Sequence, residues 1–87
     1  MVRQAISILK VSIRQVKAAR ALLGWSQTDL AESSGVSEPT IKRLEAEDGE
    51  IGGREATKKA IQSALETAGV EFTNGDQPGV RMRAKPK

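Results

Sequence analysis

QTDLAESSGVSEPTIKRLEA, residues Gln27 to Ala46, reads as two short helices joined by a tight turn. Ser26, just ahead of it, can accept a bond from the free amides that open a helix. Asp29, three residues on, offers a weak version of the reciprocal capping box. Gly35 falls where the first helix must stop, because glycine takes the left-handed conformation that a sharp exit requires. Ser37 then caps a second helix, and Pro39 is tolerated in its first turn, where amides need no intrahelical partner. Leu30, Val36, Ile41 and Leu44 supply the apolar faces that lock the pair, and Ala31 leaves room for a close crossing. The result is a helix-turn-helix.

The second helix carries the sharper signal. At about 100° per residue, Ile41 and Leu44 define its buried side. Pro39, Lys42, Arg43 and Ala46 then project the opposite way, with Glu38 and Thr40 flanking the apolar stripe. Glu45 points close to Ile41, so its carboxylate lies towards the core and needs a partner there. An upstream helix offers Arg20.

Counting from Gln27, the small residue Ala31 comes fifth, Gly35 ninth and Ile41 fifteenth. With Gly24-Trp25-Ser26-Gln27, Leu30-Ala31, Gly35-Val36-Ser37 and Ile41-Lys42-Arg43-Leu44-Glu45 in place, the chain resembles the phage-repressor-like (Xre, or lambda-repressor-like) DNA-binding family. The resemblance covers roughly residues 13 to 69. It implies a four-helix domain whose third helix lies in the major groove of double-stranded DNA. It also implies base contacts from Glu38, Pro39 and Arg43, although Pro39 stands where a polar residue is common. Arg43 suits guanine O6 and N7, Glu38 a cytosine amino group, and Pro39 a thymine methyl. Gln27 is implied to bind a backbone phosphate and brace the third helix, at a helix start where amides and dipole favour an anion. Lys42, Thr40 and Ser37 are expected phosphate contacts of the same positioning kind. Between Arg20 and Glu45 the resemblance implies a structural bracket.

Composition bounds the alternatives. The 87 residues allow one modest core, burying about 60–65% of the unfolded surface, and chains of this size commonly gain stability by dimerising. Fourteen Lys and Arg against eleven acids give a net charge of +3, which suits a polyanionic partner. The chain has no cysteine and no histidine. That excludes disulfides, thiolate chemistry and the commonest metal ligands, and fits a reducing cytoplasm. No Gly-rich phosphate loop follows a strand, so neither an enzyme nor a cofactor-binding protein is expected. The apolar run Ile6–Ile13 is broken by Ser7, Lys10 and Ser12, which excludes a membrane span.

Taken in order, residues 1–12 form an N-terminal extension rich in β-branched residues, which favours a strand. A helical reading also exists, with Ile6, Leu9, Ile13 and Val16 on one face. Helix 1 is expected from Ile13 to Leu23, capped by Ser12 and stopped by Gly24, with Val16, Ala19 and Leu23 inward. Arg14 and Lys17 face outward, as phosphate contacts or as a solvated face. Trp25 reads as a core plug rather than a platform for stacking bases. After the acidic, glycine-rich loop 47–53, helix 4 is expected from about Arg54 to Ala68, with Gly69 as the stop.

Residues 70–83 read as a β-hairpin, with Val70, Phe72, Val80 and Met82 sharing one face around the turn-rich Asn74–Gly79. A two-stranded ribbon is marginal alone. It must pack on the helices, pair with the N-terminal strand, or join a second subunit, and its open edges favour the last. Arg81, Arg83, Lys85 and Lys87 alternate into a basic tail, 84–87, either a phosphate arm or a solvated end.

The expected fold class is therefore mainly α: a four-helix, lambda-repressor-like helix-turn-helix domain with a C-terminal β-hairpin and a candidate N-terminal strand. The expected function is a sequence-specific transcriptional regulator binding an inverted repeat as a homodimer. The alternative is a protein-interaction module of the antitoxin or antiactivator type, in which the hairpin grips a protein partner and DNA binding is secondary or lost.

Overall fold

Residues 11–47, 49, 51, 53–73 and 78–83 are described by a computed structural model. Its four helices are α1 (Ile13–Leu23), α2 (Gln27–Ser34), α3 (Glu38–Glu45) and α4 (Glu55–Thr67), followed by β1 (Val70–Thr73) and β2 (Gly79–Met82). The expected strand over 1–12 falls on residues outside this range, except for Val11 and Ser12, and Lys85 and Lys87 also lie outside it.

The chain's own caps cut the helices to length. Ser12 Oγ accepts from Gln15 N at 3.2 Å, while Gln15 Oε1 accepts from Ser12 N at 2.9 Å, a full capping box at the start of α1. Gly24, at φ 71°, ends α1 as Trp25 N turns back to Arg20 O at 2.9 Å, the Schellman pattern. Ser26 and Asp29 exchange bonds of 3.0 and 2.9 Å at the start of α2. Gly35, at φ 77°, ends it. α4 is one residue shorter at each end than the sequence suggests, because Arg54 and Ala68 serve as its caps.

Ile13, Val16 and Ala19 of α1 meet Leu30 of α2, Ile41 and Leu44 of α3, and Ile61 and Leu65 of α4 in one buried cluster. Trp25, half-buried, packs against this cluster as a plug. Two further members come from outside the helices, one from the N-terminal extension and one from the loop 47–53. Val11 and Ile51 are each 5% exposed; Ile51 N donates to Val11 O at 3.4 Å, and the first residue of α1 bonds to the same loop through Ile13 N to Gly49 O at 2.8 Å.

The hairpin is antiparallel, with Val70 opposite Met82 and Phe72 opposite Val80, so the four apolar residues do share a face. Val70, Phe72 and Val80 of that face join the core against the chain's own helices, β1 towards α4 and β2 towards α1, while Met82 at its end is 39% exposed. Within one chain the ribbon is therefore supported by its own helices, the first of the three arrangements expected for it. The physical reason is Gln15: its Nε2 donates to Thr73 O at 2.8 Å and Gly79 O at 3.0 Å, hanging the turn end of the ribbon on α1. The two tail arginines that are described are also held. Arg81 Nε donates to Glu71 Oε1 across the strands at 2.7 Å, and Arg83 Nη2 donates to Glu66 O near the end of α4 at 2.7 Å.

Candidate nucleic-acid interface

The α2–turn–α3 unit brings two helix starts to adjacent places on the surface. At the start of α3, Ser37 Oγ accepts from Thr40 N at 3.3 Å and donates to Thr40 Oγ1 at 2.8 Å. Both hydroxyls are ordered, and the Thr40 proton remains available to an acceptor outside the helix. Pro39, Lys42 and Arg43 are exposed, while Ile41, Leu44 and Glu45 are 1%, 5% and 5% exposed. The helix therefore shows its basic flank to solvent and its apolar flank to the core, in the orientation that the periodicity requires.

Glu45 anchors that orientation. Arg20 grips it side-on, Nε to Oε2 at 2.8 Å and Nη2 to Oε1 at 2.6 Å, the forked geometry that suits guanidinium and carboxylate. Gln27 Nε2 adds a third donor, to Oε1 at 3.0 Å. Burial pushes the Glu45 carboxyl up. The bonds from Arg20 and Gln27, with the charges of Arg20 and Lys17, outweigh that and leave it below the ordinary glutamate range. Arg20 also spends Nη1 on Trp25 O at 3.0 Å, which ties the bracket to the start of α2.

The residues singled out from the sequence thus divide into groups. Glu38, Pro39, Thr40, Lys42 and Arg43 share the outer side and start of α3, and Ser37 caps that start. Gln27 lies beside it on α2, with one amide proton directed at Glu45 and a second left for another acceptor. Lys17 is exposed on α1 and its charge is felt at Glu45, while Arg14 is exposed at the opening of the same helix.

Two residues that the sequence reading passed over join this surface. Arg54 and Thr57, at the start of α4, line a shallow groove together with Gly53, Thr40, Leu44 and Arg43. Arg54 is exposed and is the N-cap of α4 without a side-chain capping bond. A cation at a helix start opposes the macrodipole, so a basic N-cap is a poor choice for the helix alone. That mismatch was the available signal. With Arg43 across the groove, an anion would find two guanidinium groups and the free amides of α4.

Among the described residues no helix is long and apolar enough to cross a membrane. No curated protein matches the sequence. The helix-turn-helix family model matches residues 16–67, more than half of the chain, spanning α2 and α3 and nearly all of α1 and α4. By its fold, the placement of its two central helices and this match, the chain belongs to the Xre, or lambda-repressor-like, helix-turn-helix family of DNA-binding transcriptional regulators.

Proposed function

We propose that the protein is a sequence-specific regulator that reads double-stranded DNA with α3 in the major groove, binding an inverted repeat as a homodimer in a reducing cytoplasm. The observation that carries this reading is the sidedness of α3: Lys42 and Arg43 stand exposed on a helix whose other flank is pinned by Ile41, Leu44 and Glu45. In this reading Arg43, Glu38 and Pro39 meet base edges. Gln27, Ser37, Thr40, Lys42, Arg14 and Lys17 meet the phosphate backbone, and Arg54 and Thr57 extend that contact to the start of α4. Two copies place their half-sites about one helical turn apart, 10–10.5 bp, or a multiple of it. The function is binding and not catalysis, since a chain without histidine or cysteine lacks the usual bases and nucleophiles.

Selection of bound sites from a random DNA pool tests binding, symmetry and spacing together. Wild type should enrich an inverted repeat. Arg43→Ala should lose discrimination at one base pair per half-site, about tenfold or more, with its thermal midpoint unchanged. Unchanged selectivity in that variant would remove Arg43 from the reading. In the alternative, with the hairpin gripping a protein and DNA binding lost, no DNA is retained even at low salt, whereas the proposed function gives steep salt dependence with a preferred site.

A further inference from the structure

Thr28 has no part in the contacts assigned so far. It is exposed in the first turn of α2, and its hydroxyl Oγ1 donates to Glu38 Oε1 at 2.9 Å across the turn that joins α2 to α3. The second carboxylate oxygen of Glu38 lies 3.6 Å from Lys42 Nζ, one turn further along α3. The two oxygens are thus held from different directions, one by a neutral donor on another helix and one by a cation on the same helix. The Glu38 side chain remains 37% exposed, so the ordered carboxylate still has acceptor positions open to solvent.

Orientation matters at this position. An ionised carboxylate only accepts, so when fixed at a base edge it favours the amino groups of cytosine and adenine and is repelled by guanine O6 and N7 and thymine O4. A glutamate free to rotate can turn away from the wrong base and lose that discrimination. Pinning it makes the penalty unavoidable, while Lys42 offsets its repulsion from neighbouring phosphates.

We infer that Thr28 is a positioning residue for specificity, holding the Glu38 carboxylate where it selects an amino-bearing base at one pair of each half-site. This rests on the reading that α3 enters the major groove. Thr28 itself touches no base.

The test compares wild type with Thr28→Val, Thr28→Ser and Glu38→Gln, by selection from a random DNA pool and by competition between sites that differ at single base pairs. Thermal midpoints are measured in parallel. Thr28→Val should reduce the preference for the amino-bearing base at one pair about tenfold, leave the preference set by Arg43 intact, and melt with wild type. Thr28→Ser, which keeps the hydroxyl, should restore the preference. Wild-type discrimination in Thr28→Val, failed restoration by Thr28→Ser, or an equal loss on all sequences would each overturn the role of Thr28. If Glu38→Gln also leaves every preference unchanged, the base contact itself fails and the inference falls with it. If wild type enriches no site, the major-groove reading fails first.

Discussion

At Glu45 one carboxylate ties three helices together, receiving donors from Arg20 on α1 and Gln27 on α2 while standing on α3 itself. Removing one partner of such a pair leaves the other charge buried and unanswered, which costs more than the pair contributes to stability. Arg20→Ala is therefore expected to lose about 3 kcal/mol, seen as a fall of roughly 10–20 °C in the thermal midpoint. The bracket also has a pH signature. The folded carboxyl titrates below its ordinary value of 4.5, so its contribution is whole above that range and is lost as pH falls through the folded value. Urea titrations at pH 7 and at acid pH should show this loss in wild type and a flatter profile in Glu45→Gln. Of this site, the Arg20–Glu45 contact was legible from one helix's periodicity and the need of a buried acid for a partner. The bond from Thr28 to Glu38 was not, because ten residues and a turn separate them and no periodicity links the two helices.

Among the elements, α2 and α3 could be bounded from the sequence because their signals are local: a hydroxyl before each first turn and a glycine at φ 77° between them. The hairpin's apolar face was equally open to reading, since alternation fixes which side chains share a face. Its docking was not. Gln15 reaches carbonyls 58 and 64 residues away, and nothing near it in the chain announces that. Ile51 was hidden for a related reason, as a single apolar residue in a polar loop, buried in a core built by residues distant in the chain. Gln15→Leu keeps the side chain's bulk but removes its two bonds to the ribbon and the bond from Ser12 N, each worth about 1 kcal/mol. The expected result is a loss of about 2–3 kcal/mol, with hydrogen exchange accelerated most in β1 and β2.

For the whole molecule, a net charge of +3 is modest, so where the cations lie matters more than their sum. Arg43 and Arg54 line one groove, while Arg81 and Arg83 are engaged at Glu71 and Glu66 on the hairpin side. If Arg54 meets a phosphate, Arg54→Ala should weaken binding to all sequences alike and lower the slope of log affinity against log salt by about one per subunit. Filter binding across a salt series measures this directly, and an unchanged slope would separate Arg54 from the contact. The buried tie at Glu45 has one more consequence. Because it grasps α3 from behind, the hold that Arg20 and Gln27 keep on the helix does not pass through Arg43 on its front. If α3 reads DNA as proposed, Pro39 and Arg43 can be exchanged for others like type in a printing frame, altering the message while the press stays as it was.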